Sequence, residues 1–184
     1  MIAQRLLDAC HAAGLSLQLD GQDVFVESDR DPPPDLLAEL RRHKAELIEF
    51  LRDDLDERAA LIEEGAGVPR SWAEGYTALC TMPPPAGFSL GRWQRVVDAT
   101  GVFLDRWAPT AIACGWSDLD VFGCDSDRPA ARFDCMGLVL LLDRREVVAV
   151  DEDGADLVTD TGATQRFHRR PLPFGTVSLW QLTQ

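Results

Sequence analysis

The sequence predicts an α+β chain: a small helix-hairpin-helix N-terminal module, then a helical segment, then an antiparallel β-meander. Three observations carry that prediction. Apolar residues recur at helical spacing before Gly14 and again from Leu36, a short alternating stretch lies between them, and beyond Gly115 the period falls from 3.6 to 2.

The first helix is marked by Ile2, Leu6, Leu7 and Cys10, and Gly14 supplies its C-terminal stop. Leu15, Leu17 and Leu19 then alternate with polar residues up to Asp20-Gly21, which suits a type I′ turn, and Val24 and Val26 alternate again. Asp31-Pro-Pro-Pro-Asp35 interrupts the chain and ends on an acid suited to capping the next helix, whose stripe is Leu36, Leu37, Leu40, Leu47, Ile48 and Leu51. Asp56 to Glu64 reads as a helix stopped by Gly65 and Gly67, and Pro69 opens another from Arg70 to Leu79. After the stiff Pro83-Pro84-Pro85 connector, Ser89 is placed to cap a strongly apolar helix over Gly91 to Trp107, which Gly101 weakens locally; a shorter helix is expected over Pro109 to Cys114. Strands are predicted at Gly137 to Leu142, Glu146 to Val150, Ala155 to Thr159, Thr164 to Arg169 and Thr176 to Leu182. Their connections are too short for parallel neighbours, which need a dozen or more residues to cross over. The expected domains are residues 1–52, an acidic helical junction at 53–64, and an α+β domain at 65–184 with helices over 65–114 and strands over 120–184.

Composition narrows the function classes. The chain has 184 residues and a formal net charge of −13, which opposes sequence-independent nucleic-acid binding because that binding needs cations to displace phosphate counterions. Acid is concentrated at the junction: residues 53–64 hold six acids and one base. The longest apolar run, Met136 to Leu142, is far too short to span a bilayer, and the N-terminus has no signal-type apolar region, so the expected location is the cytoplasm. Five cysteines without a C-x-x-C pair fit neither a disulfide framework nor a zinc ribbon, and read as buried free thiols.

Leu6-Leu7, Gly14-Leu15, Leu17, Asp20-Gly21, Leu36-Leu37-Ala-Glu-Leu40 and His43-Lys44-Ala-Glu-Leu47-Ile48-Glu-Phe-Leu51 together resemble the TubC-type N-terminal docking domain of nonribosomal peptide synthetases. The resemblance covers about residues 1–52. It implies an αββα-type module able to dimerise, whose exposed hairpin captures a short segment of a partner protein by strand addition. Transferred onto this chain, the peptide edge lies in Gly14 to Glu27, with Leu15, Leu17, Gln18, Leu19, Asp23, Val24, Phe25 and Val26 as partner-binding residues. Leu36, Leu40, Leu47 and Leu51 would support it from behind. Where the family often presents basic residues, this hairpin has Gln18, Asp20, Gln22, Asp23 and Glu27, so a captured peptide should be basic or apolar. Only 132 residues follow Arg52, which leaves no room for a synthetase condensation domain. Such modules also resemble the start of many small bacterial proteins, some from mobile elements, and the remainder is similar to bacterial proteins that share the Pro-Arg-Ser-Trp-Ala-Glu-Gly-Tyr, Arg-Trp-Gln-Arg and Asp-Val-Phe-Gly-Cys-Asp segments; that similarity implies no chemistry.

Other patterns were weighed against simpler roles. Asp125 and Asp127 form an Asp-x-Asp pair after an apolar run, as in some magnesium-dependent phosphate-handling enzymes. Those enzymes need a parallel sheet and a lysine at its edge, whereas short strands follow and Lys44 is the only lysine. A polar turn is the preferred reading, with metal binding at Asp125 and Asp127 as the alternative. Asp151-x-Asp153-Gly154 departs from a calcium loop in both its ligand positions and its flanking strands, and fits a hairpin turn. Arg166, His168 and Arg170 fall on one face of a predicted strand, where they could contact an anion or acidic peptide. Trp72, Trp93, Trp107, Trp116 and Trp180 are expected to pack in the core. The resulting expectation is a cofactor-free, non-enzymatic adaptor that binds a protein or peptide, or a second copy of itself. An acidic decoy of a nucleic-acid-binding protein is the other interaction reading.

Overall fold

The computed structural model describes residues 2–20, 23–28, 30–85, 87–125, 137–169 and 177–178. The fold is α+β, and the chain divides into two compact units, with the boundary between Arg58 and Ala59.

The first unit contains α1 (Ile2–Ala12), β1 (Leu15–Asp20), β2 (Asp23–Ser28), α2 (Pro34–Arg42) and the beginning of α3 (Lys44–Ala66). Gly14 ends α1 with φ 71°, the left-handed conformation expected of a glycine stop. β1 and β2 pair antiparallel from Leu15↔Ser28 to Asp20↔Asp23, so Asp20, expected at the centre of the turn, belongs to the ladder; Gly21 and Gln22 lie outside the described residues. Ala3, Leu6, Cys10, Leu15, Leu40 and Leu47 form the core, with Leu17, Val26, Leu36 and Phe50 packed against it. Phe50 thus takes the supporting place expected of Leu51. The single helix expected from Asp35 onward is two helices meeting at His43 (φ −107°, ψ 21°). No Gly or Pro marks that break, and the apolar stripe continues across it. Pro33 occupies the N-cap position of α2, and Asp35 lies in its first turn, where its charge favours the helix N-terminus. The acidic stretch at 53–57 is part of the continuous α3, with Arg58 paired to Asp54 at 2.8 Å. That helix passes through Gly65 and ends at Ala66, where Gly67 takes φ 63°.

The second unit has the rest of α3, α4 (Arg70–Thr81), α5 (Leu90–Ala113), α6 (Asp118–Phe122), β3 (Cys124–Asp125), a short 3-10 helix (Leu138–Leu142), β4 (Arg145–Val150), β5 (Gly154–Thr159), β6 (Thr164–His168) and β7 (Val177–Ser178). β4, β5 and β6 form the predicted antiparallel meander, while β7 pairs with β3 in a separate two-stranded sheet. Of the strand expected at Thr176 to Leu182, only Val177 and Ser178 lie within the described residues.

Three elements of this unit and one cysteine differ from expectation. Gly137 to Leu142 is not a strand: Leu138, Val139, Leu140 and Leu142 are all at most 3% exposed and Leu141 is half-buried, so the run shows no alternation of buried and exposed positions. Gly137 enters it at φ 67°, where an added Cβ would lie 2.5 Å from the Val121 carbonyl oxygen. α5 continues through Pro109 instead of starting a new helix there. The missing amide costs about 3 kcal/mol, which burial of Ala108 and Ala111 on the core face helps offset. α6 was not foreseen, and residues 120–122 are therefore helical, although Ser117 and Asp120 form a readable capping box. Cys80 is exposed, whereas Cys10 is buried and Cys114 half-buried.

The core of this unit joins Trp72 and Phe103, stacked at 6.4 Å, to Trp93, Trp116, Val96, Leu104, Leu138 and Leu157. Trp180 lies outside the described residues. Gly101 makes room in α5 for Tyr76, whose hydroxyl donates to the Val97 carbonyl at 3.3 Å. Desolvation, reinforced by Cys80, Asp98 and Asp105, pushes the Tyr76 phenol up to about 12. The outer edge of β4 is protected twice: Trp107 Nε1 donates to the Val147 carbonyl at 3.1 Å, and the register shifts between Val147 and Ala149.

Asp143 ties the 3-10 helix to α5. It accepts from Arg92 at 2.6 Å and Arg95 at 3.2 Å, and is itself 11% exposed. Burial alone would raise its pKa, but the two arginines hold it below the ordinary carboxylate value. A depressed folded pKa gives stability that is present above the unfolded value of ~3.9 and is lost as pH falls through the folded value. Because both arginines are partly exposed, Asp143→Asn is expected to cost about 1–2 kcal/mol at pH 7. Urea melts of the two proteins should converge below about pH 4; a gap that stays constant with pH would rule out the ion pairs as its source.

Candidate functional site

The first unit positions a hairpin with one anchored face and one open face. Leu15, 3% exposed, fixes β1 against Leu6 and Cys10, while Leu17 and Val26 pair across the ladder on the same inward side. Burial raises the pKa of the Cys10 thiol, which keeps it protonated as a small apolar side chain. Leu19 and Val24 are half-buried opposite one another.

Alternation sends Ser16, Gln18, Asp23, Phe25 and Glu27 to the other face. Phe25 is 55% exposed there, an unusual cost for a large aromatic ring on a small module. Acids flank it at two residues on either side. Gln18 Nε2 donates to Glu27 Oε2 at 3.2 Å, and Lys44, from the first residue of α3, forms an ion pair with Asp23.

The backbone follows the same alternation. A two-residue connection closing at Asp20↔Asp23 makes Gln18↔Phe25 and Ser16↔Glu27 the hydrogen-bonded pairs. Val24, Val26 and Ser28 consequently turn their amides and carbonyls outward from β2. Among the described residues no third strand pairs with this hairpin. The edge therefore offers backbone donors and acceptors beside an acid-aromatic-acid row, a chemistry suited to holding an extended chain. Of the eight residues expected at the partner edge, Gln18, Asp23 and Phe25 lie on the open face, whereas Leu15, Leu17 and Val26 pack inward on the core and Leu19 and Val24 are half-buried. Lys44 was missed as a site residue; its being the only lysine in the chain was the available signal.

The other candidates are dispersed or already engaged. Arg166 donates to Asp151 at 2.6 Å and Asp156 at 3.0 Å, and its hydrogen bond is the main reason the Asp151 pKa is lowered. Asp151 also accepts from the Asp153 and Gly154 amides, consistent with a hairpin turn. His168 is exposed on β6, and Arg170 lies outside the described residues. Asp125 pairs through its backbone with Val177, while Asp127 lies outside the described residues. Among the described residues no three His, Cys, Asp or Glu side chains come together as a metal site, and no helix is long and apolar enough to cross a membrane. No family model, curated protein or solved structure matches this chain.

Proposed function

We propose that this is a non-enzymatic interaction protein whose N-terminal hairpin binds an extended partner segment by adding it as a strand along β2. The single observation behind this reading is the β2 edge, unpaired among the described residues, beside an exposed Phe25. Strand addition supplies main-chain hydrogen bonds for affinity, and alternate side chains supply selectivity. The reading agrees with the resemblance to docking domains, and self-association would use the same edge. A cytoplasmic location fits the free thiols of Cys10 and Cys114, which a reducing compartment preserves.

Val24→Pro tests the edge. Its lost amide faces outward, so the hairpin ladder should persist, whereas Phe25→Pro removes a ladder donor and serves as the disruptive comparison. Peptides selected from a random library on the wild-type protein should bind Val24→Pro about tenfold or more weakly, since main-chain bonds and strand geometry are lost together. Circular dichroism should show the Val24→Pro fold intact. Undiminished binding to that folded variant would defeat strand addition at β2.

A further inference from the structure

Asp23, Phe25 and Glu27 form a row spaced two residues apart, all exposed on one face of β2, with half-buried Val24 and Val26 between them. A strand laid along this edge would place its own alternate side chains beside that row, with directly opposed Cβ atoms roughly 4.5–5.5 Å apart. The pattern asks for an apolar side chain beside Phe25 and cations two positions to either side. The free protein already shows part of that chemistry, because Lys44 carries an ammonium to Asp23.

We infer that the partner is an extended segment of basic-apolar-basic alternation, and that Lys44 is an internal stand-in for one of its cations, displaced when the segment docks. The inference deepens the strand-addition reading and rests on it. Two observations favour a readily displaced contact. The Lys44 and Asp23 side chains are 47% and 66% exposed, which makes the pair weak. Lys44 begins α3, where a positive charge opposes the helix dipole. Glu27, at the other end of the row, is held only by the neutral Gln18 amide in the contacts described, so it meets an incoming cation without a competing charge. Asp23 and Glu27 thus differ: docking at Asp23 exchanges one ion pair for another, while docking at Glu27 gains one. Lys44 lowers affinity for basic segments, because the cation they bring to Asp23 replaces one that is already there.

The test uses the full chain and capped seven-residue strand peptides with a central valine. One has lysine two positions to either side of the valine, one has glutamate at both places, and one has glutamine. Reversing two opposed charge pairs should make the lysine peptide bind about tenfold more tightly than the glutamate peptide, with glutamine between them. Lys44→Gln should tighten the lysine peptide by about threefold. Arg42→Gln, which makes the same change in net charge but removes a partner of Glu39, should leave the affinity unchanged. Equal binding of lysine and glutamate peptides would overturn the charge match; if Val24→Pro weakened both, strand addition itself would survive. Equal tightening by Lys44→Gln and Arg42→Gln would overturn the stand-in role. Failure of all three peptides to bind would overturn the inference and the strand-addition reading together.

Discussion

Gly154→Ala is expected to destabilise the second unit by about 3 kcal/mol or more, the upper range for forcing extra volume into a packed site. Gly154 opens β5 opposite His168, and a Cβ there would lie 1.9 Å from the Phe167 carbonyl oxygen. The obstacle is backbone, so no side-chain rotation relieves it. Separating the strands would disturb the Arg169 amide bond to the Asp153 carbonyl at 2.8 Å and lift Phe167 from Trp116, with which its ring lies at 5.7 Å. Gly91→Ala is the matched control: it adds the same methyl group in α5, where the new Cβ meets nothing within 4 Å. That variant should be neutral or gain up to about 1 kcal/mol from helix propensity. Urea unfolding monitored by tryptophan fluorescence reports on this unit, because the five tryptophans all lie beyond residue 58. A wild-type midpoint for Gly154→Ala would show that the β5–β6 approach is not as close as described.

Arg169→Met should be comparably severe, at about 3 kcal/mol, for a different reason. The Arg169 guanidinium donates to the carbonyls of Cys114, Gly115 and Glu152 at 2.7–3.1 Å, and to Asp120 Oδ2 at 3.1 Å. It thereby joins the end of α5, the start of α6 and the β4–β5 turn. Asp120, whose side chain is only 8% exposed, also accepts from the Ser117 amide at 2.8 Å and cannot move to find water without giving up that cap. Methionine fills much of the volume but leaves a nearly buried carboxylate without its cation. Trp116 adds to the same join by donating to the Asp151 carbonyl at 2.8 Å. Arg169→Lys supplies charge without the planar fork, and should recover only part of the loss, because one ammonium cannot reach four acceptors on three elements. Full recovery by lysine would mean that charge alone, not the fork, makes the join.

These two positions also show why prediction from sequence stops where it does. Arg169 sits in a basic cluster that looks suited to an external anion, yet Arg169 and Arg166 both turn to internal acceptors. Nothing in Arg166-Phe-His-Arg-Arg170 identifies those acceptors, which lie 10–55 residues away along the chain. The hairpin presents the opposite situation. Its inward and outward faces follow from alternation alone, so the hydrophobic anchors and the exposed Phe25 could be placed before any coordinates. The contact between Lys44 and Asp23 spans 21 residues and could not.

By itself the sequence determined the α+β class, the N-terminal helix and hairpin, and three of the five strands expected in the meander, because period, glycine stops and short connections are local properties that survive in most folded settings. The tertiary structure decided the 3-10 course of Leu138–Leu142, the passage of α5 through Pro109 and the break at His43. A run of consecutive buried residues shows no alternation that would impose a period, and an internal proline is tolerated only when the surrounding packing offsets its lost hydrogen bond. It also decided which charges are engaged: Asp143 with two arginines, Arg166 with two acids, and Asp23 with the chain's single lysine. Ion pairing depends on distance in space, and distant parts of the chain are brought within a few ångströms only by the fold.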